Sequence, residues 1–251
     1  MSDILLRAEG ITKRYGGILA CDGVNVDLRA GETHAVIGPN GAGKTTLLSQ
    51  LAGEIAPDAG RIHLGARDVT HLRAPERAVL GLGRSFQITS VFREFSVLQN
   101  VALAVQAHDG HSFRFWRKAR TDAALIEPAR AMLDRLGLAG RAALPAALLS
   151  HGEQRQLELA MALATKPRVL LLDEPMAGMG AADSERMTRL LTTLKNEAAL
   201  LLVEHDMDAV FALADRITVM TYGRVIATGT PAEIRANQAV REAYLGTDEA
   251  A

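Results

Sequence analysis

One octapeptide constrains this chain more than any other feature. Gly38-Pro39-Asn40-Gly41-Ala42-Gly43-Lys44-Thr45 follows a short apolar run, His34-Ala35-Val36-Ile37, and precedes an apolar helical stretch from Leu47 to Leu51. Its glycines let the backbone curl until successive N–H groups point at one place, which suits phosphate oxygens. The helix that follows adds the positive end of its dipole there. Lys44 neutralises the outer phosphates of a nucleotide, and the Thr45 hydroxyl, with Thr46 beside it, is placed to ligate Mg2+. A chance glycine-rich turn would lack this order of strand, Lys, Thr and helix. The motif specifies a nucleotide phosphate but not which class of nucleotide-hydrolysing protein.

Two other runs, Val169 to Leu172 and Leu200 to Val203, are continuously apolar. That pattern suits strands buried on both faces of a parallel sheet, so the fold class is α/β with a mostly parallel sheet. Ligands of such sheets sit beyond the carboxyl ends of the strands. Asp173 and Glu174 stand at one of those ends. Asp173 suits the Mg2+ shell, and Glu174 is placed to orient and polarise an attacking water; alone, the pair could also be a solvated turn before Pro175. Leu149-Ser150-His151-Gly152-Glu153-Gln154 opens a helix striped by Leu157, Ala160, Met161 and Ala164. Ser150 with Glu153 is a capping box, which needs no function. The same helix start offers Ser150, His151, Gly152 and Glu153 to a phosphate. The two readings are compatible.

Other features bound the remaining possibilities. The chain has 251 residues, 28 Lys+Arg against 29 Asp+Glu, and 4% aromatics. A dedicated duplex-DNA binder would be more basic, and base-stacking platforms more aromatic, so no nucleic-acid partner is expected. One cysteine, Cys21, excludes a disulfide framework. No apolar run reaches the roughly 20 residues of a membrane span, and the start lacks the pattern of a secretory leader, so a reduced cytoplasmic setting is expected. Short strands over Ile11–Tyr15, Gly23–Leu28 and 60–69 predict a small antiparallel sheet. Residues 74–149 read mostly helical, with Pro128 and Pro145 as breaks.

In order, these stretches resemble the ATP-binding subunit of an ATP-binding-cassette (ABC) transporter, and the resemblance spans essentially the whole chain. Gly38–Thr45 corresponds to its Walker A motif, Val169–Asp173 to Walker B, and Glu174 to its catalytic glutamate. Leu149–Gln154 resembles the family signature, with His151 where many members carry glycine. Gln87 resembles the glutamine that contacts Mg2+ and the phosphate, His205 the switch histidine, and Tyr15 the aromatic that stacks on adenine. Alone, His205 could cap a strand at the surface, and Tyr15 could pack on the antiparallel sheet. Gly180 departs from the family, which usually has Asp or Asn there.

The resemblance implies a single ABC ATPase domain over 1–251. Residues 1–73 and 160–251 form a RecA-like P-loop NTPase core with its flanking antiparallel sheet, and 74–159 form an inserted helical subdomain carrying the signature. It implies ATP and Mg2+ as ligands. It also implies two integral membrane permease subunits, a second ATPase subunit (identical or paralogous) and, indirectly, a periplasmic binding protein. The expected location is peripheral, on the cytoplasmic face of the cell membrane. Gln87 to Val105, the Val203-Glu204-His205-Asp206-Met207 run and the end Val240 to Gly246 are similar to importers of branched-chain and other hydrophobic amino acids. Urea, amide and aromatic-acid importers, lipid exporters and non-transport mechanical switches remain alternatives. The basic run Arg114 to Arg120, around Trp116, is either a solvated helix face with a packing ring or a contact with a membrane partner or anionic headgroups.

Overall fold

The computed structural model describes residues 3–85, 91–109 and 122–245. Strands β1 (Ile4–Tyr15), β2 (Ile18–Arg29), β4 (Ala59–Leu64) and β5 (Arg67–Asp68) form an antiparallel sheet in the order β2-β1-β4-β5. β1 and β2 extend beyond the expected segments, because Leu6 and Ala8 supply further buried contacts at the start of β1. A second sheet has the order β10-β9-β3-β8-β7-β6, from β3 (Thr33–Ile37), β6 (Leu82–Arg84), β7 (Val169–Asp173), β8 (Ala199–Val203), β9 (Arg216–Thr221) and β10 (Arg224–Gly229). All its neighbours pair in parallel except β9 with β10. β6 falls within 74–159 and extends this sheet at its edge.

The apolar runs behave as both-face-buried strands should. Leu170, Leu172, Leu200 and Leu202 pack into one core with the helices α3 (Val97–Asp109), α4 (Ala123–Arg135), α5 (His151–Ala164) and α6 (Ala181–Leu194). Val169, Leu171, Leu201 and Val203 face the other way, onto α1 (Lys44–Ala52) and the antiparallel sheet. Each fully buried leucine of this kind contributes roughly 1.5–3 kcal/mol. The central strands are therefore the firmest part of the molecule, and their ends are rigid mounts.

Pro128 lies inside α4 and does not break it. It lacks the N–H that would bond the Ala124 carbonyl and its ring crowds that carbonyl, together a loss of about 3 kcal/mol. The buried stripe Leu125, Ala129 and Leu133 outweighs that loss.

Helix α2 (Ala74–Val79) supplies the largest fully buried side chain among the described residues, Arg77. Its Nη1 donates to the carbonyls of Gln50 and Leu51, both at 2.7 Å, at the C-terminal end of α1. Nε donates to Leu72 O and Nη2 to Thr70 O. Burial pushes the guanidinium down to about 10, so it remains a cation at neutral pH.

Candidate functional site

β3, an interior strand, delivers the chain to the carboxyl ends of the parallel strands, where it turns through Gly38–Gly43 into α1. Two of the glycines are required by close approach: a Cβ on Gly38 would overlap the Met220 carbonyl, and one on Gly43, at φ 98°, the Ala20 carbonyl. Gly43 is also the N-cap of α1, with no side chain to occupy the first-turn N–H groups. Lys44 is buried and folds back onto the loop, donating to Gly38 O at 2.6 Å and Pro39 O at 3.1 Å. Burial lowers its pKa, while the Glu174 and Asp173 carboxylates pull it upward. The loop walls a cavity of about 390 Å³, lined by Asn40, Gly41, Ala42, Gly43, Lys44, Thr45 and Thr46 together with Ile18, Leu19, Ala20, Glu174, His205 and Tyr222.

The ends of β7 and β8 supply the acids. Asp173 is completely buried, and neither carboxylate oxygen has a hydrogen-bond donor. The Arg84 guanidinium stands 3.5 Å away, and Arg84 also pairs with Glu54. Burial pushes the Asp173 carboxyl up, opposed by Arg84. A buried carboxylate with two oxygens that accept no hydrogen bond suits a hard cation such as Mg2+. No described cluster of three or more His, Cys, Asp or Glu residues could hold a metal by itself.

Glu174 sits at φ 49°, a left-handed conformation that is strained for a residue with a side chain. Its N–H is held by Val203 O at 2.9 Å, and its Oε1 lies 2.6 Å from His205 Nε2. The catalytic-glutamate and switch-histidine candidates thus meet across neighbouring strand ends. Between them lies Glu204, only 3% exposed, whose carboxylate accepts N–H groups from both loops. Sequence reading passed over this role. The adjacency of the two apolar strands was the available signal, but their pairing had to be known.

The other candidates fall elsewhere. Ser150 caps α5: its Oγ accepts the Glu153 N–H at 3.3 Å, and the Glu153 carboxylate accepts the Ser150 N–H at 2.9 Å. The His151 ring contacts Ala177 O at 3.2 Å, and Gly152 approaches Asp183 of α6. None of Ser150–Glu153 lines the phosphate cavity. Tyr15 is half exposed at the end of β1, paired in register with the cavity-lining Ile18. Gln87, the Arg114–Arg120 run and Gly246 lie outside the described residues.

Comparison with known proteins settles the family. The sequence profile described as "ABC transporter" matches residues 21–177. LivG of Salmonella typhimurium, named a high-affinity branched-chain amino acid transport ATP-binding protein, is 39% identical over 98% of this chain and 99% of its own. This chain belongs to the ABC transporter family. The cassette is accordingly an ATPase, and the α/β architecture is that of its family. Its residues 224–250 match a profile described as "Branched-chain amino acid ATP-binding cassette transporter". BraF of Pseudomonas aeruginosa, also named a high-affinity branched-chain amino acid transport ATP-binding protein, is 37% identical over 98% of the cassette and 99% of its own length. A sulfate/thiosulfate import ATP-binding protein of Chromobacterium violaceum is 35% identical, but the cassette spans only 61% of it. Among solved structures, the ADP conformation of MJ1267, an ATP-binding cassette of an ABC transporter, superposes with a TM-score of 0.84 at 28% identity, covering 97% of the cassette and 99% of that chain. No described helix of the cassette is long and apolar enough to cross a membrane.

Proposed function

We propose that this chain powers a membrane importer for branched-chain or related hydrophobic amino acids. The observation that carries the catalytic part is convergence: Lys44, Thr45, Glu174 and His205 line one cavity, while Ser150 does not. The amino-acid part rests on relatives matched from end to end.

In this reading the backbone N–H groups of Gly41–Thr46 and the Lys44 ammonium hold the β- and γ-phosphates. Tyr15 and Ile18 border the adenine end. Asp173 and Thr45 would hold Mg2+, which when bound withdraws charge from the phosphate oxygens. Glu174 orients a water in line with the γ-phosphorus and takes its proton as the new P–O bond forms. The bond to the bridging oxygen breaks, leaving ADP and inorganic phosphate. His205 keeps the Glu174 carboxylate aimed and faces the γ-phosphate. Positioning and charge stabilisation provide most of the acceleration in such transfers.

Ser150 and the helix start it caps do not line this chain's own cavity; in this reading they serve the nucleotide of a second cassette, whose Ser150-equivalent completes this one. The γ-phosphate then bridges two protomers, and hydrolysis releases them. An apolar groove of about 380 Å³, bordered by Ala74, Pro75, Ala78, Ala104 and Met161, opens beside β6. It is the proposed seat of a permease subunit, holding the cassette on the cytoplasmic face of the membrane.

The test is Glu174→Gln in the purified transporter. ATP affinity by calorimetry stays within about threefold, whereas turnover falls by about 10²–10⁴-fold, the range for loss of a general base. Unchanged turnover overturns the assignment. In the same complex, leucine, isoleucine or valine delivered by the binding protein stimulates ATP hydrolysis; stimulation by urea or an amide alone overturns the proposed solute class.

A further inference from the structure

We infer that Glu204 is a positioning residue for the hydrolytic centre. Its buried carboxylate ties the loop after β7 to the loop after β8 and so fixes where Glu174 stands against His205. The inference rests on the reading of Glu174 as the general base.

Glu204 follows β8 directly and is 3% exposed. One carboxylate oxygen accepts the Met176 N–H at 2.9 Å. The other accepts the His205 N–H at 2.8 Å and, more weakly, the Asp206 N–H at 3.4 Å. Among the described residues no cation pairs with it, so backbone dipoles from two loops alone solvate the charge. A buried carboxylate of this kind is expensive to leave unsatisfied, and both loops are therefore held to it.

What it holds is the reacting pair. Met176 is separated from Glu174 only by Pro175, whose ring fixes one of the intervening torsions. Glu174 itself is strained at φ 49°. With the Met176 N–H anchored on one side and the Glu174 N–H on Val203 O on the other, the strained residue has little freedom. The same carboxylate fixes the backbone of His205, whose ring meets Glu174 Oε1 at 2.6 Å. The catalytic carboxylate and the switch histidine share one anchor and do not move independently.

The experiment is a double-mutant cycle on the full chain in its complex, read by steady-state ATP hydrolysis. Glu204→Gln keeps the shape but replaces one acceptor oxygen with an NH2 group facing an N–H donor. It lowers kcat at least about tenfold, with KM for ATP within about threefold, the signature of misplaced reacting groups. In a His205→Ala background the same substitution lowers the residual rate less than about twofold, because the geometry it protects is already lost. A wild-type kcat for Glu204→Gln overturns the inference; so does an undiminished tenfold loss in the His205→Ala background, which is what a purely structural role produces. Should Glu204→Gln fail to fold, amide hydrogen exchange in the wild-type chain decides: Met176 and His205 are both protected and open together, and an unprotected Met176 amide overturns the inference. Full turnover of Glu174→Gln would instead sink the general-base reading, an outcome distinct from all of these.

Discussion

The helices α1 and α5 both begin at motifs proposed here to grip phosphate, yet their N-termini are built in opposite ways. α1 starts at Gly43, which contributes no side chain, so its first N–H groups are left for a ligand inside the chain's own cavity. α5 starts at Ser150, which satisfies the Glu153 N–H and has its own N–H satisfied by the Glu153 carboxylate, further pinned by Arg141 at 2.7 Å. At α1 no side chain caps the first turn, whereas at α5 the Ser150 hydroxyl takes the Glu153 N–H. Phosphate binding can therefore be divided between an end that depends on its ligand and an end that merely presents a surface. The second kind suits a contact made only when another protomer docks.

Three substitutions break or sharpen this contrast. Gly43→Ala places a methyl group against the Ala20 carbonyl in a left-handed conformation. It lowers stability by about 3 kcal/mol or more and the melting midpoint by roughly 6–12 °C, measured calorimetrically. Lys44→Ala leaves the fold intact but weakens ATP binding about 100-fold, equivalent to about 2.7 kcal/mol, in titration calorimetry. Ser150→Ala removes a self-sufficient cap. It reduces stability by about 1 kcal/mol and leaves ATP affinity of the separated chain unchanged, while turnover in the assembled transporter drops. If Ser150→Ala weakened nucleotide binding by the separated chain as Lys44→Ala does, the contrast between the two helix ends would fail.

Much of the site was legible because it is written locally. The glycine spacing before Lys44, and an apolar strand followed by two acids at Asp173 and Glu174, place chemistry without reference to distant residues. The β9–β10 hairpin was not legible. Its outward face carries Ile226, 37% exposed, which blurs the alternation, and its anchoring is long-range. Arg216 at its start bonds Asp27 and Glu32 across more than 180 positions. Pro128 misled for a related reason: a local rule against proline in a helix interior yields to a buried stripe that only packing reveals. Glu204 belongs to the same group, since its role exists only once β7 and β8 lie side by side.

The Arg77 clamp has an electrical consequence for the phosphate site. A free helix presents a positive pole at one end and a negative pole at the other, and their potentials cancel increasingly with distance. In α1, about 13 Å long, a buried cation covers the negative pole. An approaching triphosphate then meets something closer to a lone positive charge, whose pull fades as the first power of distance rather than the second. That pull reaches further into solvent, and dissolved salt blunts it correspondingly more.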